Sequence, residues 1–139
     1  MSTLWHDEPP APAEDEKRPR RSWRAKFAAA FRGLKLGVRG HSSFSVHFFF
    51  AALVVAAAVA LGCDLTQWCV LLGCIGLVLT AELFNSAVET LFRGLDEEAK
   101  SRAWPALDIA AGAVLLASIT ASVLGLIVFG SCLVTMLRK

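Results

Sequence analysis

The stretch Thr80-Ala81-Glu82-Leu83-Phe84-Asn85-Ser86-Ala87-Val88-Glu89 decides how the rest of this chain is organised. It continues an apolar run that begins near Trp68, yet it carries two carboxylates and an amide. On a helix, four of its polar residues share one face, because they stand at i, i+3, i+4 and i+7: Glu82, Asn85, Ser86 and Glu89. A carboxylate near hydrocarbon usually faces a protein interior or a watery cavity, so we interpret this face as a functional site. The alternative interpretation is a polar stripe that only holds helices together, as Asn and Ser can.

The composition is typical of a membrane protein. The 139 residues are 55% hydrophobic with a mean hydropathy of +0.55, more apolar than a soluble domain of this length can hide. The formal net charge is +2, and nine of the 14 Lys and Arg residues lie between Lys17 and Arg39. We interpret this basic segment as facing anionic lipid on the cytoplasmic side, and not as a nucleic-acid patch.

The chain divides into a tail and a helical domain over residues 22–139. Residues 1–21 hold four of the five prolines and a run of charges, which predicts a disordered N-terminal tail. Residues 22–39 repeat apolar side chains at three- and four-residue spacing among cations, which predicts an amphipathic interfacial helix. Within it, Gly33 and Gly37 form a small-xxx-small step that would let another helix approach closely.

Three apolar runs are each long enough to cross a bilayer, at about residues 44–62, 67–93 and 105–137. A short turn at 62–66 separates the first two, and a charged loop at 93–102 precedes the third. Trp104 and Pro105 are expected to begin the last span, as an interfacial residue and a first-turn proline. The predicted fold class is therefore all-α, with three transmembrane helices preceded by an interfacial helix. We expect a multi-pass protein of the cell inner membrane with its N-terminus in the cytoplasm.

This topology brings several polar residues to the cytoplasmic boundary: His41, Glu82, Asn85, Glu89 and Asp108. Carboxylates there can hold Mg²⁺, which prefers a few oxygen ligands together with substrate phosphates. They can also take a proton from an alcohol.

The four cysteines are Cys63, Cys69, Cys74 and Cys132. None belongs to a Cys-x-x-Cys pair, and no histidine stands at ligand spacing to them. We interpret them as small apolar residues that fill membrane helices.

Two blocks of the sequence resemble a known family: Glu82-Leu-Phe-Asn85-Ser-Ala-Val-Glu89 and Asp108-Ile-Ala-Ala-Gly-Ala-Val-Leu-Leu. They are similar to the small prokaryotic integral-membrane diacylglycerol kinases and undecaprenol kinases, and the resemblance runs from about Phe27 to the last span. It implies a homotrimer of three-span subunits with active sites at subunit interfaces. Each site would transfer the γ-phosphoryl group of ATP, with Mg²⁺, to the hydroxyl of a membrane lipid.

The resemblance implies a role for each matching residue. Glu82 matches the general base for the lipid hydroxyl, and Asn85 matches the polar residue beside it, so both are candidate catalytic residues. Glu89 matches a metal-binding carboxylate, and Asp108 matches the acid near the nucleotide at the start of the last span.

Three positions depart from the family pattern. His41 replaces a Glu that helps Glu89 hold Mg²⁺. Its imidazole is a poor ligand for that ion but suits transition metals, so Glu89 and His41 are the two candidate metal ligands. Leu107 replaces a Lys expected on the ATP phosphates. Arg93 stands where an Asp is common; it would supply the lost cation to the nucleotide, or it is a snorkelling residue with no catalytic role. Lys35 is a further candidate for nucleotide binding.

Two functional hypotheses follow. The first is a lipid kinase with a rearranged phosphate and metal site, acting on diacylglycerol or undecaprenol. The second is a catalytically impaired relative that serves as a membrane scaffold or as a lipid- or nucleotide-binding module. A transport or channel subunit is the weaker alternative, because the acids lie near one boundary and not along a path through the bilayer.

Overall fold

The computed structural model describes residues 22–39 and 43–138. Over those ranges the chain forms four α-helices and no strand: α1 Trp23–Arg39, α2 Ser43–Ala60, α3 Leu65–Arg93 and α4 Glu97–Leu137. The all-α prediction is confirmed, and the ends of α1 to α3 agree with the sequence prediction within two residues. The predicted tail at 1–21 and the candidate ligand His41 lie outside the described residues.

Three of these helices are long and apolar enough to cross a membrane, by length and composition: α2, α3 and α4. Each carries large apolar side chains that are exposed on the single chain, such as Phe49, Leu72 and Leu126. A soluble monomer rarely exposes so much apolar surface, whereas in a bilayer it faces hydrocarbon or other helices. The chain is therefore a membrane protein, as its composition predicts.

Helix α3 is the centre of the structure, because it packs against each of the other three helices. Its first turn is closed by a capping box in which Asp64 accepts a hydrogen bond from the Gln67 backbone N–H and Gln67 accepts one from the Asp64 N–H. The Gln67 side chain also donates to Ser131 Oγ at 3.1 Å. This contact fixes the start of α3 against the last third of α4.

Helix α4 begins eight residues before the predicted third span, so the prediction of a charged loop over 93–102 was wrong. Only residues 94–96 lie between the two helices. Asp96 caps α4 by accepting a hydrogen bond from the backbone N–H of Ala99 at 2.8 Å. Pro105 lies inside the helix and removes one of its backbone hydrogen bonds, but the helix continues on both sides.

The charges that favoured a loop instead pair along the first turns of α4. Lys100 Nζ lies 2.8 Å from Glu97 Oε1. Arg102 pairs with Glu98, which stands one turn before it in the helix. Such pairs stabilise a helix by a few tenths of a kcal/mol each, about 0.2–0.5. Both acids also stand at the positive end of the helix dipole. A dense pattern of charges is therefore compatible with an exposed helix as well as with a loop.

The described residues form a polar end and an apolar end. At the apolar end, the last turns of α2, the first turns of α3 and the last third of α4 enclose a core of Ala58, Leu71, Val128 and Cys132. At the opposite end, the second half of α3 contributes buried polar residues: Glu82, Asn85 and Ser86.

Helix α1 packs against α3 beside this polar end. The contact depends on Gly37, because a Cβ there would collide with Leu83 Cδ1, the end of the side chain that follows Glu82. The other residue of the predicted small-xxx-small step, Gly33, has open space where a Cβ would stand. Close approach therefore occurs at one of the two glycines.

Candidate functional site

Glu82 is the centre of the site and is only 3% exposed. One of its carboxylate oxygens accepts a hydrogen bond from Ser43 Oγ, at the first residue of α2. The other, Oε2, lies 3.6 Å from His47 Nε2, one turn further along α2, and the contact is an ion pair when the imidazole is protonated. A buried carboxylate is costly without such partners, so α2 supplies the polar surroundings that allow Glu82 to lie inside the bundle.

Asn85 and Glu89 form a second polar contact on the same face of α3. Asn85 Nδ2 donates to Glu89 Oε1 at 2.9 Å, with the amide buried and the carboxylate half-buried. The hydrogen bond holds the Glu89 carboxylate beside the helix and near the end of the bundle. The predicted sharing of one helix face by these residues is therefore seen in the structure.

Ser86 lies between these two contacts and is 1% exposed. Its backbone carbonyl accepts a hydrogen bond from Thr90 Oγ1 at 2.7 Å. Within the described part of the chain, its own hydroxyl has no hydrogen-bond partner. An unpaired buried hydroxyl costs roughly 1–3 kcal/mol, which makes Ser86 a candidate for contact with a bound ligand.

The remaining predicted site residues in the described part of the chain are exposed and not buried. Asp108 and Lys35 are exposed, and Asp108 makes no hydrogen bond or ion pair with another described residue. Arg93 is exposed at the end of α3, where its guanidinium donates to Thr90 Oγ1 at 3.5 Å. The half-buried Leu107 faces inward instead, and a step of about 100° per residue turns Asp108 outward.

A metal centre is not assembled by the described residues of a single chain. Residues 22–39 and 43–138 contain no group of three or more His, Cys, Asp or Glu side chains placed to hold a metal ion. Of the two predicted ligands, Glu89 is held by Asn85, and His41 lies outside the described residues. The Glu89 carboxylate by itself suits Mg²⁺, which is commonly held by one or two carboxylates together with substrate phosphates.

Ser43 and His47 are members of the site that the sequence analysis missed. The available signal was their i, i+4 spacing, which puts them on one face of α2. That spacing does not reveal a partner on another helix, because Glu82 lies 39 residues from Ser43 in the chain.

An apolar cleft opens beside His47 between α2, α3 and α4. Its volume is about 530 Å³, within the range of small-molecule sites. Its walls include Phe50, Val54, Ile75, Leu79, Ser122 and Leu126. The cleft therefore reaches His47, whose imidazole lies 3.6 Å from the buried carboxylate of Glu82.

These features define a class of protein: an all-helical membrane protein with buried acidic and amide side chains at one end of its spans. The chain belongs to the prokaryotic diacylglycerol kinase family, whose model matches residues 28–129. It is also similar to the undecaprenol kinase of Bacillus subtilis strain 168, with 27% identity over 103 residues that cover 74% of this chain and 84% of that protein. No solved structure matches the chain. The resemblance found in the sequence is confirmed, and the protein is a member of a family of membrane lipid kinases.

Proposed function

We propose that the protein transfers the γ-phosphoryl group of ATP to the hydroxyl of a membrane lipid at the cytoplasmic face of the inner membrane. The observation that carries the proposal is Glu82, a buried carboxylate held by Ser43 and by His47, and His47 also lines the apolar cleft. A lipid alcohol has an apolar tail and one polar end. An apolar cleft beside a buried His–Glu contact suits both parts.

In this mechanism Glu82 accepts the proton of the lipid hydroxyl as its oxygen attacks the γ-phosphorus, and ADP departs. Ser43 and His47 hold the carboxylate in place from α2, so that it does not have to be ordered at the moment of reaction. Phosphoryl transfer depends mainly on positioning and on neutralising charge. Asn85, one turn from Glu82, positions Glu89 for the same purpose.

Glu89 is the described residue best suited to hold Mg²⁺, which when bound would neutralise phosphate charge. Its carboxylate is half-buried and oriented by Asn85, and oxygen ligands suit this ion. His41, an imidazole, suits a transition metal better, so activity with Mn²⁺ is part of the same proposal.

The working form that we propose is a homotrimer with its sites between subunits. Two features support it. Asp108 and Lys35 are exposed on the single chain, where they are available to a neighbouring copy. Exposed apolar side chains on α2 and α4 also offer surface for helix packing. Asp108 and Lys35 of one subunit, with Arg93, would then bind the nucleotide beside Glu89 of another.

The acceptor class is diacylglycerol or undecaprenol, and the test is a panel of both. Purified protein, checked for its trimeric state, is incubated with γ-labelled ATP, either Mg²⁺ or Mn²⁺, and each lipid alcohol in mixed micelles. We expect labelled phospholipid product with at least one acceptor. A trimeric sample that labels no lipid with either metal would remove the kinase proposal.

One observation favours the second candidate, a catalytically impaired relative that binds lipid or nucleotide. Leu107 is half-buried, so an apolar side chain occupies the position where the family has a phosphate-binding Lys. The double variant His41→Glu, Leu107→Lys separates the two functions. Activity that is created only in the double variant supports the impaired relative, whereas activity already present in the wild type supports the kinase.

A further inference from the structure

Two cysteines far apart in the chain meet at the apolar end of the bundle. Cys63 lies in the turn between α2 and α3, and Cys132 lies near the end of α4. Their sulfur atoms are 2.8 Å apart as unbonded thiols. Ordinary nonbonded contacts between carbon atoms are about 3.5–4.0 Å, so this is a close approach of two reactive groups. The interpretation of both residues as simple apolar filler does not account for it.

The close approach is held by packed structure on both sides. Gly62, with φ of +62°, turns the chain at the end of α2, and the Cys63 backbone N–H donates to the Ala58 carbonyl at 3.1 Å. Cys132 is 4% exposed. Its neighbour Ser131 accepts the hydrogen bond from the first turn of α3. Neither sulfur therefore depends on a flexible segment to reach the other.

The position of the pair also suits a disulfide. It lies at the end of the bundle opposite Glu82, beside the α2–α3 turn. If the basic N-terminal segment faces the cytoplasm, as the proposed function requires, this turn lies on the non-cytoplasmic side. Disulfides form and persist in that compartment.

We propose that Cys63 and Cys132 form an intramolecular disulfide that fastens the α2–α3 turn to the end of α4. The two thiols give up two protons and two electrons to an external protein disulfide. That oxidant is reduced to a dithiol as the new sulfur–sulfur bond forms. The other two cysteines, Cys69 and Cys74, stay reduced.

The environment of Cys63 affects the rates of this exchange. Burial, together with the contact to Cys132, raises the pKa of the Cys63 thiol to about 11. A thiol of raised pKa is mostly protonated at neutral pH and is a slow nucleophile. It is also a slow leaving group, so the bond, once formed, is reduced slowly.

The test counts thiols in the full-length protein. Membranes are treated with a maleimide to block exchange, the protein is denatured, and the adducts are counted by mass with and without prior reduction. We expect two adducts per chain without reduction and all four after it, given four cysteines. Tryptic peptides from the unreduced sample should include one cross-link, between the peptide that carries Cys63 and the peptide that carries Cys132.

Serine variants identify the bonded pair. Cys63→Ser and Cys132→Ser should each lose the cross-link and bind three adducts without reduction. Cys69→Ser, a matched change at the exposed cysteine nearest the turn, should keep the cross-link and bind one adduct without reduction. Four adducts in the unreduced wild type would overturn the proposal. So would a cross-link that survives in Cys63→Ser, or one that joins two chains. Kinase activity is not part of the readout, so the result is independent of the proposed reaction.

Discussion

At the scale of single residues, Glu82 combines burial with two polar partners from another helix. Replacing it with Gln keeps its size and its ability to accept from Ser43, but removes the base. General bases contribute about 10²–10⁴-fold to rate, so Glu82→Gln should lower the initial rate of lipid phosphorylation by at least about 100-fold. The thermal unfolding midpoint should change little.

The matched control for this change is Glu97→Gln, at an exposed acid that pairs with Lys100 on the first turn of α4. Its rate should equal that of the wild type. Equal rates in Glu82→Gln and Glu97→Gln would exclude Glu82 as the base.

Replacing Ser86 is expected to weaken substrate binding without lowering stability. Because its buried hydroxyl has no partner among the described residues, Ser86→Ala should leave stability unchanged or raise it by up to about 1–3 kcal/mol. If the hydroxyl contacts the substrate, the same variant should show a higher KM for lipid or for ATP. Thermal unfolding and initial rates of one preparation measure both effects.

For Ser86 the comparison is Ser101→Ala, because the Ser101 hydroxyl is exposed and already bonded to the Glu98 carbonyl. Neither the stability nor the KM for lipid or ATP should change in Ser101→Ala. A Ser86→Ala protein with unaltered KM for both substrates would assign the hydroxyl no role in binding.

At the scale of helices, the docking of α1 on α3 offers a matched pair of changes. Gly37→Leu must displace the Leu83 side chain and so push α1 away from the helix that carries Glu82. Gly33→Leu meets open space and gains helix propensity of up to about 1 kcal/mol. We expect lower activity and faster proteolysis near α1 in the first variant only, measured by rate and by limited digestion in micelles. Equal digestion of the two variants would mean that α1 does not depend on this contact.

The limits of sequence-based prediction are also clearest at this scale. Helices α1 to α3 were predicted closely because their boundaries coincide with changes in apolar periodicity. The start of α4 was missed because its charges pair along a helix face, as Glu98 and Arg102 do, and charge density alone does not distinguish such a face from a loop. The shared face of Glu82 and Glu89 follows from spacing. Its contacts with α2, and the outward direction of Asp108, depend on how helices pack, which no local pattern contains.

At the scale of the whole molecule, the proposed trimer predicts complementation between two inactive variants. If each site combines Glu82 of one subunit with Asp108 of another, Glu82→Gln and Asp108→Asn are each inactive alone. Random mixed assembly then gives each interface about one chance in four of holding both wild-type residues, by the symmetry of a closed ring. Co-expressed variants should recover about a quarter of the wild-type rate. Mixed trimers with no recovered activity would place both acids in the same subunit's site.

The length of α4 separates the acids by depth. Its 41 residues extend over roughly 60 Å, about twice the thickness of bilayer hydrocarbon. If the α2–α3 turn, and with it Cys132, lies at the far boundary, hydrocarbon covers about 20 residues of α4, back to about residue 112. Asp108 then stands about one turn out in water, while Glu82, about 15 residues beyond the contact of Gln67 with Ser131, lies about one turn inside the hydrocarbon. A water-soluble nucleotide at Asp108 and a membrane-dissolved lipid at Glu82 could thus each be bound without leaving its own phase.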